Sequence, residues 1–274
     1  MIRFFSKTSI GYNHLKSGTV CQDYSASYHD EERTIVTACD GHGGNVYIRS
    51  DLGSKYASKA IMKTFQEVER SLFYKYKREE ICEKIKLKIL CEWNAFVEKN
   101  ISDKPITKKE FVGLTEDEIF KLKCNFSKAY GTTLNGAMVL GNKLICVNLG
   151  DGGIFTLRKG EVKAVFEEDE EIVANITYSI CGEDAYKHIN IAILDYNDYD
   201  GVLVCTDGIV NPYQSMPNFV KSFAKPISLK LLNEEYNEID RVIEKIGTQI
   251  GIGDDVSCSM ILKSMTSKRN YKGE

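Results

Sequence analysis

The chain has 274 residues, enough to bury a sizeable core in one large domain or two small ones. Hydrophobic residues make up 43%, charged residues 27%, and the formal net charge is -3, a globular balance that excludes a dominant nucleic-acid or membrane electrostatic footprint. No apolar run approaches a membrane span, and the N-terminus MIRFFSKTSIGYNH lacks the apolar core and cleavage site of a signal peptide. Nine cysteines without a CxxC pair predict reduced, buried thiols in a cytoplasmic protein rather than a disulfide frame or a zinc site.

Gln22–Tyr28 reads as a half-buried strand and Thr34–Cys39 as a buried one. Val46–Thr64 and Val68–Asn100 have helical periodicity. The second carries Leu72, Tyr76, Ile81, Ile85, Ile89, Trp93 and Phe96 with Lys and Glu between them. Ile101–Lys128 is polar, holds Pro105, and reads as a connection with one short helix in Thr115–Lys123. Thr132–Leu140, Lys143–Leu149, Ile154–Arg158 and Glu161–Phe166 are short strands cut by glycine turns, as in hairpins. Glu167–Glu171 reads as a solvated loop or helix start. Gly201–Thr206 and Val256–Leu262 are two more strands, with helices over Asn218–Phe223 and Asn237–Ile250 between them. The basic, polar tail 264–274 is expected to fray. With no repeat or low-complexity linker, residues 1–263 are expected to form a single α+β domain, its strands antiparallel and its helices grouped.

Three strands end in acids: Thr34–Cys39 in Asp40-Gly41, Lys143–Leu149 in Gly150-Asp151, and Gly201–Thr206 in Asp207-Gly208. Asp254 precedes the last strand. Antiparallel neighbours bring the end of one strand beside the start of the next, so the four acids are expected at one edge of the sheet. Clustered carboxylates repel unless a cation sits among them, and oxygen ligands without Cys or His favour hard ions such as Mg²⁺ or Mn²⁺. A single Asp-Gly is more often a turn than a ligand; four at matching strand ends, one in the run Asp40-Gly41-His42-Gly43-Gly44, favour a metal centre. His42 is placed to act as a general acid. Neither Cys39 nor Cys205 is followed by the arginine that a phosphate-binding cysteine loop needs, which excludes a cysteine phosphatase.

Asp40-Gly41-His42-Gly43-Gly44, Gly131-Thr132-Thr133, Asn148-Leu149-Gly150-Asp151, Thr206-Asp207-Gly208 and Asp254-Asp255-Val256-Ser257 stand in one order. That order resembles the metal-dependent type 2C protein serine/threonine phosphatases, from about Ser6 to Leu262. The resemblance implies a four-layer α-β-β-α sandwich, two antiparallel sheets flanked by helix pairs. It implies two Mn²⁺ or Mg²⁺ ions, with Asp40 bridging them, the Gly41 carbonyl on one, and Asp207 and Asp254 on the other. Asp151 matches the acid of a third, weaker metal site, Asp23 an acid near the metals, and His42 the general acid.

The sequence departs from the family's pattern near its first strands. Gln22 stands where a Glu is usual, and the phosphate-binding Arg is absent. His14, Gly18, Gln22 and Asp23, with Asn175-Ile176-Thr177-Tyr178, resemble a bacterial subgroup in which His14 or Lys16 is left to contact phosphate. The short segment between Asp151 and Asp207 implies a reduced flap and an open approach. The expected protein is a cytoplasmic, monomeric Mn²⁺/Mg²⁺-dependent phosphatase. Its partners are a phosphoprotein substrate and a cognate Ser/Thr kinase, without nucleic acid or membrane. The rival readings are a pseudophosphatase acting as a binding module, favoured by the missing Arg and opposed by the intact acids, and a two-metal nuclease, opposed by the acidic balance.

Overall fold

Strands buried on both faces organise the chain. The computed structural model describes residues 1–166 and 177–264. Strand β1 (Ile2–Ser9) leads into the short helix α1 (Tyr12–Ser17), then strands β2 (Tyr24–His29) and β3 (Arg33–Cys39). Helices α2 (Ser50–Gln66), α3 (Leu72–Lys75), α4 (Arg78–Asp103) and α5 (Glu116–Cys124) follow. Next come β4 (Leu134–Leu140), β5 (Lys143–Leu149), β6 (Gly153–Arg158) and β7 (Glu161–Ala164). The last part holds α6 (Ala185–His188), β8 (Asn190–Asp195), β9 (Gly201–Cys205), α7 (Asp207–Val210), α8 (Met216–Phe219), α9 (Lys225–Leu232), α10 (Tyr236–Lys245) and β10 (Val256–Lys263).

The strands form two five-stranded sheets, β1-β10-β9-β6-β7 and β2-β3-β4-β5-β8, antiparallel throughout. Successive side chains leave a strand on opposite faces, so each strand feeds two cores. Val36 and Ala38 of β3 join Val202, Val204 and Ile261 in the layer between the sheets. Ile35 and Cys39 of β3 join Ile61, Phe65, Ile89 and Trp93 of α2 and α4. Leu203, Cys205 and Met260 join Phe219, Ile227, Leu231 and Ile243 on the other side. Three apolar cores separate four layers, the α-β-β-α sandwich expected from the sequence.

Four local expectations are corrected. Ile2–Ser9 is a strand that the sequence reading passed over, because Arg3 and Lys7 interrupt its apolar residues. Both charges lie on the outer face, where Arg3 caps the carbonyls of Leu231 and Leu232 at the end of α9 and Lys7 pairs with Glu244. Val68–Asn100 is not one helix. Ile81, Ile85, Ile89, Trp93 and Val97 lie four apart and are all buried on α4. From Tyr76 to Ile81 the spacing is five, which rotates Tyr76 off that stripe. The chain is extended at Tyr76 and Lys77, and the Glu80 carboxylate accepts from Lys77 N (2.8 Å) to start α4 afresh. Asn190–Asp195 is an edge strand, too short an apolar run for periodicity to identify. Met216–Leu232 is helical nearly throughout, with a π turn at Val220–Ala224 just ahead of Pro226, whose missing N–H cannot serve a regular turn. Helix α5 starts on Thr115, with Glu118 closing the capping box, as its sequence suggests.

Ser264 N donates to Met1 O (2.8 Å), while the rest of the tail, residues 265–274, and the acidic run Glu167–Glu171 lie outside the described residues. Ile89 is fully buried and Leu87 is 52% exposed on the same helix. Ile89→Ala is expected to destabilise the fold by about 2–5 kcal/mol through transfer and cavity terms, and Leu87→Ala by less than about 0.5 kcal/mol. Urea unfolding checks this as a lower midpoint for Ile89→Ala at unchanged slope.

Candidate metal centre

Asp40 follows the last residue of β3, where the strand leaves the sandwich. Its backbone is locked from three directions: Asp40 N donates to Thr133 Oγ1 (3.0 Å), and Asp40 O accepts from Thr133 N (2.8 Å) and Thr132 Oγ1 (2.6 Å). Gly41 bridges to Thr132 and donates to Gln22 O (3.1 Å). A Cβ on Gly41 would stand 2.6 Å from the carbonyl oxygens of Gln22 and Ser50, so no larger residue fits there. His42 N donates to Gly131 O (3.1 Å), which fixes the loop over the end of β4.

Asp151 sits just beyond β5 on a turn with Gly150 in the left-handed region (φ 98°). The Asn148 amide holds that turn, donating to Asn135 Oδ1 (2.8 Å) and Gly152 O (3.1 Å). Asp207 opens α7, and its Oδ2 accepts from Asn211 Nδ2 (2.9 Å). Carboxylate oxygens of Asp40, Asp151 and Asp207 all lie within 4.8 Å of one another. Asp254 stands outside that set but lines a cavity of about 180 Å³ with Asp40 and Asp151, together with His14, Gln22, Gly41, His42, Thr177 and Asp255. Among the described residues, no lysine or arginine lines it.

The remaining acids lie deeper. Register pairs Tyr24 with Cys39, so Asp23 falls opposite Asp40 and its charge acts on the Asp40 carboxyl. Thr206 Oγ1 donates to Asp23 Oδ2 (2.8 Å) and accepts from Ser257 N (2.9 Å), which ties β9, β10 and β2 together under the site. Asp255 is buried and accepts from Gly11 N (2.6 Å) and Gln22 N (2.6 Å). Its Oδ2 also meets His14 Nδ1 at 2.8 Å.

Burial pushes the Asp40 and Asp23 carboxyls well above the usual carboxylate range, and neighbouring acids push them further. Burial, with the charges of Asp151 and Asp254, raises Asp207 to about 6. Asp254 is also raised, mainly by burial and then by Asp255. Burial lowers the His42 imidazole while the Asp151 charge acts in the opposite sense. His42 Nε2 is buried without a hydrogen-bond partner, and its ring lies 4.9 Å from that of Tyr47.

All the acids read from strand ends thus gather at one end of the molecule, from both sheets. His14 reaches the cavity; Lys16 is not among the lining residues. Thr177 Oγ1 donates to Asp151 Oδ2 (2.6 Å), whereas Asn175 and Ile176 lie outside the described residues, as does part of the expected reduced flap. The sequence reading gave no role to Asp255, Asn135, Thr206 or Asn211. Asp255 carried a signal, a second acid directly after Asp254, but the donors it serves come from residues more than 200 positions away.

Two antiparallel sheets with an acid-lined cavity at their shared end define an α-β-β-α sandwich with a candidate metal centre. The family model described as protein phosphatase 2C matches residues 10–243, and the chain belongs to that family. It is a metal-dependent protein serine/threonine phosphatase. The fold is similar to that of a bacterial serine phosphatase (14% identity, covering 96% of this chain and 98% of that one, TM-score 0.63). It is also similar to that of the S. agalactiae serine/threonine phosphatase (17%, 96% and 99%, 0.60). A third similar structure is the catalytic domain of the phosphatase PstP in complex with two manganese ions (14%, 95% and 97%, 0.57). Comparison with curated protein sequences gave no match. Among the described residues, no helix is long and apolar enough to cross a membrane.

The raised carboxyls bear on stability. An aspartate is half-protonated near pH 3.9 when unfolded, so at higher pH the folded metal-free chain holds protons that the unfolded chain has released. Stability from these groups is complete below the unfolded value and is lost as pH rises through about 6, the Asp207 value. In EDTA the Tm is expected to fall as pH rises from about 4 to about 6. Asp207→Asn is expected to flatten that fall, as measured by calorimetric scans.

Proposed function

We propose that the chain uses two Mn²⁺ or Mg²⁺ ions to hydrolyse phosphoserine and phosphothreonine monoesters in proteins. The observation that carries this reading is the set of three carboxylates within 4.8 Å, two of which, Asp40 and Asp151, line a cavity that no lysine or arginine among the described residues lines. The donor set is all oxygen and its charge is uncompensated, which suits a hard divalent ion. Asp40 would bridge the pair, with the Gly41 carbonyl, Asp207 and Asp254 completing their protein ligands, Asp151 serving a third ion and Asp23 backing Asp40. Bound ions of this kind supply a water of lowered pKa and offset the charge of the phosphoryl group.

The chain's own residues do the rest. His42 Nε2, buried and unpartnered, gives a proton to the serine or threonine oxygen as its bond to phosphorus breaks. The Asp151 charge favours loading that proton on a ring that burial would otherwise keep neutral. His14, oriented through Nδ1 by Asp255, presents its other nitrogen for a phosphoryl oxygen, in place of the missing arginine. Residues 1–263 form the phosphatase domain of a cytoplasmic monomer, opposed by a Ser/Thr kinase acting on the same proteins.

Hydrolysis of a phosphothreonine peptide that requires Mn²⁺ or Mg²⁺ and stops with EDTA is the direct test; turnover in EDTA would sink the reading. Mn²⁺ is expected to raise the Tm with the logarithm of its concentration, and Asp207→Ala is expected to blunt that rise in a thermal-shift titration. A poor alkoxide leaving group needs a proton and p-nitrophenolate does not. His42→Ala should therefore lower phosphopeptide turnover by about 10²–10⁴-fold and p-nitrophenyl phosphate turnover far less. Equal losses would assign His42 to shaping the loop. His14→Ala should raise KM more than it lowers kcat, and His14→Arg should recover part of the loss.

A further inference from the structure

A second cavity lies at the opposite end of the β4–β5 hairpin from the metal centre. It is an open groove of about 490 Å³ between that hairpin, the end of β8 and the α3–α4 connection. Ile81 and Leu140, both buried, floor it. Phe73 and Tyr74 wall it, and Tyr74 is 90% exposed at the rim. Arg70, Arg78 and Lys143 line it, and none of the three makes an ion pair among the described residues. Asp195 is the one acid in the lining; it stands across the strands from Lys143 and accepts from Asn197 N. That leaves the two arginines uncompensated, and Lys84, 4.5 Å from the Tyr76 ring centre, adds positive charge beside the rim.

We propose that this groove binds a second phosphorylated segment of the substrate protein, its phosphate on Arg70 and Arg78 and an apolar or aromatic neighbour against Phe73 and Tyr74. Charge complementarity argues for an anion, in a protein whose net charge is -3. Guanidinium pairs suit a phosphate dianion, and the aromatic wall suits the side chain beside it. The open rim favours an extended chain over a nucleotide, which a binding site would enclose on most of its surface. Strand β4 spans the distance between groove and metal centre, seven residues or roughly 20 Å at about 3.3 Å each. A substrate with two phosphates about ten residues apart could therefore engage both sites, and the groove would raise the effective concentration of the second at the metal centre. The identity of the ligand as substrate rests on the phosphatase reading; the anion site itself does not.

The test compares a singly phosphorylated threonine peptide with one carrying a second phosphothreonine about ten residues away. The doubly phosphorylated peptide is expected to have a KM about tenfold lower, the equivalent of one charge-assisted contact. Arg70→Glu/Arg78→Glu, and Arg78→Glu alone in part, should abolish that difference. Turnover of p-nitrophenyl phosphate and KM for the single phosphopeptide should not change. Equal KM values for the two peptides, or a difference that survives charge reversal, would overturn the proposal. Anisotropy of the labelled double phosphopeptide, weakened by the reversal, reads the groove even if no form of the chain is a phosphatase. Displacement of that peptide by adenosine diphosphate at lower concentration than by the single phosphopeptide would make the groove a nucleotide site and overturn the assignment.

Discussion

Six carboxylates, Asp23, Asp40, Asp151, Asp207, Asp254 and Asp255, are held at one end of the sandwich against their mutual repulsion. Burial raises Asp23, Asp40, Asp207 and Asp254, which is the electrostatic penalty expressed as proton affinity. The opposing free energy comes from the three apolar cores, whose strands run up to the acids and stop. The position of every acid is therefore set by strand register: Asp40 by β3 against β4, Asp151 by the end of β5, Asp207 by β9 against β10. A slip of one residue in any of these pairs would turn that strand's apolar set out of its core along with the acid.

The acids divide by what already occupies their oxygens. Asp255 accepts from two backbone amides and faces His14, and Asp23 accepts from Thr206, so these two are committed to the protein. They join the N-terminal segment to β9 and β10 and hold the floor. Asp151 and Asp207 each receive a single side-chain donor, from Thr177 and Asn211, and retain free lone pairs. Asp40 is secured through its backbone, which leaves its carboxylate available in the cavity. Rigid support beneath and open oxygens above are what a divalent ion requires of a preformed site.

Much of this was legible in the sequence, for a physical reason. Short, nearly continuous apolar runs that end at an aspartate beside glycine mark both the strand and the place where it leaves the core, so β3, β5, β9 and their acids could be read together. The change of spacing between Tyr76 and Ile81 was also visible and marks the helix break, although the charges around it suggest continuity. Strand β1 was hidden because Arg3 and Lys7 find partners on α9 and α10, which no local pattern reveals. The supporting roles of Asp255, Thr206 and Asn135 were hidden for the same reason: each rests on a donor or acceptor supplied by another strand.

The β4–β5 hairpin runs from the acid-lined cavity at one end to Arg70, Arg78 and Lys143 at the other, with a dry apolar layer on each face between them. Charges roughly 20 Å apart through a low-dielectric interior are screened less than the Debye length in water would suggest. A phosphate approaching the metal-free acid end meets repulsion, and one that reaches the groove meets the guanidinium groups of Arg70 and Arg78. Loading the acid end with divalent cations reverses only the first of these. Metal binding thus changes the field that a phosphoprotein encounters as well as the chemistry it undergoes, and it leaves the groove's arginines as they were while making the acid end accessible to phosphate.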